Sequence, residues 1–154
     1  MITVEAILVD AVRQVFGTMF VSDAIPDESG DLGAGQEAIG MVQIFAGDAS
    51  GSIAVGGRPE AVAAIYERLL GTPISVEEES ELRDALGEVL NMVGGLCKAR
   101  FLAQGMRITL SLPFDVHGLI RRHVAEPGSM QYTLVGFDLK GLEQRLVFRL
   151  IMER

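Results

Sequence analysis

Two stretches of the chain align without a gap: Asp10-Ala-Val-Arg-Gln14-Val-Phe-Gly17-Thr-Met, and Asp84-Ala-Leu-Gly-Glu88-Val-Leu-Asn91-Met-Val. Both carry apolar residues at helical spacing, and segments patterned as strands follow each of them. The chain therefore reads as a duplicated helix-then-strands unit, against the alternative of chance similarity between two amphipathic helices. A duplication constrains the fold strongly, because both copies must bury their apolar sides in one shared core. The copies differ at two polar positions: Gln14 and Gly17 stand where the second copy has Glu88 and Asn91.

The remaining pattern fills in the elements. Ile7, Leu8, Ala11, Val12, Val15, Phe16 and Met19 recur at helical spacing between Thr3 and Phe20. The stretch 26–35 is rich in turn formers and reads as a loop. Residues 38–46 and 52–55 read as strands joined by a hairpin turn over 47–51. Pro59 suits the first position of a second helix and Gly71 its end. Ser75 and Glu78 have the spacing of a capping box opening a third helix, which runs to about Gln104. Strands are expected over 107–112, 131–138 and 145–152, the first with Ile108, Leu110 and Leu112 on one face.

In the third helix Asp84, Glu88 and Asn91 stand at i, i+4 and i+7 and form one row. Leu82, Leu86, Val89, Leu90 and Val93 fall largely on the opposite side. The row is either a solvated polar face or a display of carboxylate and carboxamide suited to gripping a cation and orienting a water. Composition narrows the partners. A formal charge of −8 repels bare nucleic acid and favours a protein, or a partner that brings its own cation. With no tryptophan and only 6% aromatic residues, the chain lacks a stacking platform for bases. At 49% hydrophobic residues the chain folds, yet no apolar run approaches a bilayer span. A single cysteine and a start without a leader pattern point to the cytoplasm.

The row and its flanks resemble the CheC/CheX/FliY family of chemotaxis phosphatases. That family's signature is Asp or Ser, then Glu, Asn and a later proline, which here are Asp84, Glu88, Asn91 and Pro113. The run from Asn91 through Gly94-Gly95 to Lys98 is similar to the family's, as is Ser111-Leu-Pro113 followed by Gly118. One intact copy beside a decayed one looks CheX-like. Two departures stand out: Pro113 lies one residue closer to Asn91 than in the family pattern, and Leu96 replaces a second asparagine.

The resemblance implies hydrolysis of the phospho-aspartate of a response regulator such as a CheY-like receiver domain. It implies that Asn91 holds the attacking water and that Glu88 pairs with a lysine of the regulator. Asp84, Lys98 and Pro113 would support the helix or the partner contact. The regulator supplies Mg²⁺, so the chain needs no cofactor or metal of its own, and a single-site member is expected to form a homodimer, with the alternating C-terminal strand as a pairing edge. The other readings are a non-catalytic regulator-binding adaptor or flagellar-switch-related module, and a ligand-binding α/β domain, for which no pocket signature exists.

Other motifs carry less. Gly51 to Arg58 lacks the Gly-Lys-Ser/Thr ending of a phosphate loop and reads as a strand and helix start. His117 and His123 near Asp115 lack a supporting metal cluster, Arg121-Arg122 reads as solvated, and Cys97 as a small buried residue. The expectation is one α/β domain of α+β type over 1–154, with a degenerate half at 1–72 and the site in 73–154. Two long helices and a shorter one would cover an antiparallel sheet built from both halves.

Overall fold

The computed structural model describes residues 2–27, 38–116 and 130–153. Helix α1 (Val4–Met19) begins where the Thr3 hydroxyl accepts from the Ala6 N–H at 3.1 Å, a side-chain cap for a free helix donor. It is followed by β1 (Ala24–Asp27), β2 (Ile39–Gly47) and β3 (Ser50–Gly57). Helix α2 (Pro59–Leu70) has Pro59 in its first turn and ends at Gly71, whose φ of 75° is the left-handed conformation that glycine tolerates. Helix α3 (Glu79–Ala103) precedes β4 (Ile108–Leu110), β5 (Phe114–Val116), β6 (Gln131–Leu139) and β7 (Gln144–Glu153).

All described strand pairs are antiparallel, and the sheet order is β1-β6-β7-β3-β2-β4, with β5 also on β2. This order is a palindrome: exchanging β1, β2, β3 for β4/β5, β6, β7 reproduces it. Each half thus lends an edge strand to the other, and the first and last hairpins meet at the centre. The helices share one core with the sheet. Phe16, Phe45, Phe101, Phe137 and Phe148 are fully buried in it, and Phe101 of α3 packs 5.9 Å from Phe45 of β2. The described residues form a mixed α+β fold with an antiparallel sheet and three helices.

Four expectations need correction. The turn-rich stretch begins inside a strand, since β1 includes Pro26 and Asp27. Proline is tolerated because, among the described strands, β1 is an edge paired with β6 alone, and Arg145 bonds both Asp27 and Asp138 across that pair. The capping box does not form. The Ser75 hydroxyl instead accepts from the Glu77 N–H at 3.2 Å, closing a local turn, and α3 starts at Glu79 without a side-chain cap. The strand expected over 107–112 stops at Leu110, and Leu112 is 81% exposed. Finally, β7 cannot be a pairing edge, because β3 and β6 occupy both its sides. Leu146, Phe148, Leu150 and Met152 do share its buried face.

Candidate functional site

Along α3 the sequence separates wet from dry. Leu82, Leu86, Val89, Leu90 and Val93 are fully buried, while Asp84, Glu88 and Asn91 are exposed. Among the described residues, neither Asp84 nor Glu88 takes part in an ion pair. Arg83 bonds Glu79 at 3.1 Å and pairs with Asp115 at 3.5 Å, tying the start of α3 to β5. The row is therefore held in place by its neighbours, with its own charges uncommitted.

A cleft of about 570 Å³ opens beside it. Asp84, Glu88 and Asn91 line it from α3, Tyr66, Leu69 and Leu70 from α2, and Leu112 and Pro113 from the link between β4 and β5. That link is a bulge. Phe45 pairs with Leu110 and Val42 with Phe114, so two residues of β2 (43 and 44) face three (111–113). Bulges bend a strand and re-aim its side chains, and here the bulge sets Pro113 against α3. A Cβ on Gly87 would lie 3.6 Å from the Pro113 ring, so the two segments touch one residue before Glu88.

Gln43, which sequence reasoning missed, lies beneath the row. It is 2% exposed, and its Nε2 donates to Asn91 Oδ1 at 3.0 Å and to the Ser111 carbonyl at 2.8 Å. Its Oε1 is buried with no hydrogen-bond partner, which costs about 1–3 kcal/mol for a neutral acceptor. That oxygen lies against the backbone of Gly94, where a Cβ would come within 2.1 Å of it. The available signal was a glutamine inside the apolar run Ile39-Gly-Met-Val-Gln43-Ile-Phe.

The structure thus brings Asp84, Glu88, Asn91 and Pro113 to one cleft. Lys98 is exposed further along α3 and lines a different depression with Leu102 and Ile108. Leu96, the other departure, is half-buried against the core. On α1, Asp10, Gln14 and Gly17 are exposed, but Arg100 of α3 lies across them: it donates to Gln14 Oε1 at 3.1 Å and approaches Asp10 at 3.8 Å.

The minor candidates resolve as packing where they are described. Gly51–Gly57 falls within β3, and a Cβ on Gly51 would meet the Ile151 carbonyl oxygen at 1.9 Å. Cys97 is fully buried, and burial pushes its thiol up to about 12. Among the described residues no group of three or more His, Cys, Asp or Glu could hold a metal ion, and no helix is long and apolar enough to cross a membrane. His117, Gly118, Arg121, Arg122 and His123 lie outside the described residues.

A family model described as chemotaxis phosphatase CheX matches residues 39–137. A search of curated proteins finds no match. Among solved structures, a chemotaxis protein CheX from Desulfovibrio desulfuricans superposes with a TM-score of 0.77 at 22% identity, covering 99% of this chain and 100% of that one. The CheX of a CheX–CheY–BeF3–Mg complex from Borrelia burgdorferi gives 0.75 at 18%, covering all of both chains. A CheC-like superfamily protein from a Shewanella species gives 0.71 at 21%, again covering all of both. At these identities the superpositions show a shared fold. The family model spans more than half of the chain, including the whole acid–amide row and Pro113, and the chain belongs to the CheX family of chemotaxis phosphatases.

Proposed function

We propose that this chain hydrolyses the aspartyl phosphate of a CheY-like response-regulator receiver domain, with Glu88 and Asn91 as its catalytic residues. The observation that carries the reading is an exposed carboxylate and carboxamide on one helical row, with the carboxylate unpaired among the described residues and the amide held from below. Asn91 places a water in line with the phosphorus–oxygen bond to the aspartyl group. The water oxygen bonds to phosphorus, the aspartate leaves as carboxylate, and the water's protons end on inorganic phosphate and solvent. An amide suits this task because it donates and accepts without titrating.

Glu88 pairs with a lysine of the receiver through a charge-assisted contact, which fixes the register of docking. Asp84, one turn earlier, and Pro113, on the bulge, shape the contact around it. The receiver contributes Mg²⁺, which neutralises the phosphoryl charge and suits a chain of net charge −8. Placing one water in this way can supply up to about 7–11 kcal/mol of the barrier for ideal geometry, without a general base. The CheX–CheY complex from Borrelia burgdorferi supports a receiver as the partner class. With one such site per chain, a homodimer is the proposed assembly.

The test follows phosphate loss from radiolabelled phospho-receivers with and without the protein, while binding is measured on the same pairs. Faster loss from at least one receiver is the expected result. Binding of the phosphorylated form with an unchanged rate of loss would replace this reading with that of a non-catalytic adaptor.

A further inference from the structure

We infer that Gln43 is a positioning residue for this hydrolysis, setting which way round the Asn91 carboxamide faces. The inference rests on the phosphatase reading above and concerns the same site. A side-chain amide can be turned over with little change of shape, so its hydrogen-bond network decides its orientation. Here the network contains one group that can act in only one way. The Ser111 carbonyl oxygen accepts and cannot donate, so the group 2.8 Å from it must be the Gln43 amide nitrogen. The second hydrogen of that nitrogen is then directed at Asn91, 3.0 Å away, which must present its oxygen. Turning either amide over would set oxygen against oxygen or nitrogen against nitrogen at these distances.

The consequence reaches the cleft. With Oδ1 accepting from Gln43, the two Nδ2 hydrogens of Asn91 have no partner among the described residues and are open to a phosphoryl oxygen. Oδ1 keeps a second lone pair for a hydrogen of the attacking water. Backbone features converge on the arrangement. The bulge at 111–113 supplies the carbonyl, and Gly94 leaves room for Gln43 Oε1 where any Cβ would stand 2.1 Å from it. An apolar residue at position 43 would fill the core without leaving an unpaired acceptor, and Met41 and Phe45 on the same face of β2 are apolar and buried. A glutamine there serves the amide above it.

The experiment compares the parent with Gln43→Met, which keeps length and loses both hydrogen bonds, and Gln43→Glu, which keeps shape and cannot donate when ionised. Steady-state kcat and KM on a phospho-receiver are measured together with the dissociation constant for the same receiver. Both variants are expected to lose kcat by about 10- to 100-fold, the range for a misplaced reacting group, with KM and the dissociation constant nearly unchanged. Gln43→Glu is expected to regain part of its kcat as pH falls and the carboxyl becomes a donor, while Gln43→Met, which has no donor to regain, stays low over the same range. An active parent whose variants keep full kcat, or lose only binding, overturns the inference alone. A parent that does not accelerate hydrolysis overturns the functional reading, and this inference with it.

Discussion

Helices α1 and α3 carry aligned polar rows, and they treat them in opposite ways. On α3 the acid and amide are exposed, unpaired with any described cation, and backed by a buried glutamine from β2. On α1 the corresponding Asp10 and Gln14 are taken up by Arg100, and position 17 is glycine. The buried polar residues described are Ser22, which donates to the Lys140 carbonyl, and Gln43, so among the described residues no buried amide supports α1 from below. The contrast separates two requirements that one helical motif can hide. A row must display its groups, and something beneath must fix their orientation. The α1 row meets neither.

The comparison can be strained at several points. Glu88→Ala strains it most: losing the proposed charge-assisted contact, worth about 1.5–3 kcal/mol, lowers kcat/KM by about 10- to 150-fold, measured by phosphate release. The two adjacent glycines of α3 come next. Gly94→Ala drives a methyl group into the pinned Gln43 side chain and should destabilise by about 1–3 kcal/mol in urea unfolding. Gly95→Ala meets open space on the exposed side and should stabilise by about 0.5–1 kcal/mol. Equal responses would mean that Gln43 is not held as described.

Cys97 tests the dry side of the same helix. Its thiol is raised by burial, from 9.0 to about 12, so above pH 9 the unfolded chain releases a proton that the folded chain keeps. Stability therefore falls as pH rises through that window, by up to about 1.4 kcal/mol per unit for this one group. The slope should be shallower in Cys97→Ala, measured by denaturant unfolding between pH 9 and 10.5. The smallest effect is expected at the decayed row: Arg100→Ala should cost at most about 1 kcal/mol, as for a partly exposed ion pair. Adding Gln14→Glu and Gly17→Asn to it, in an Asn91→Ala background, should restore no hydrolysis. Recovery there would show that display alone suffices.

The row was legible because helical periodicity fixes faces over a long segment, and the α3 leucines and valines left only one side for Asp84, Glu88 and Asn91. The duplication was legible for the same reason, and the sheet order is symmetric under exchange of the strand sets that follow α1 and α3. The bulge was not, because nothing local in Ser111-Leu-Pro113 says that β2 runs past it on both sides. Nor was the place of β7, whose alternation describes which face is buried and is silent about which neighbours sit beside it. Gln43 escaped because it belongs to the first copy in sequence but serves the helix of the second. A pairing between halves is a tertiary fact that no window of the chain contains.

The proposed hydrolysis requires Asn91 to act on water, beyond merely holding a partner. The direct measurement is the rate of phosphate loss from a phospho-receiver in the presence of Asn91→Ala, beside the parent, with binding of the same receiver measured for both. Loss of the stimulated rate by about 100-fold or more, with binding and fold retained, is the predicted result. An Asn91→Ala variant that clears the phospho-receiver as fast as the parent would contradict it.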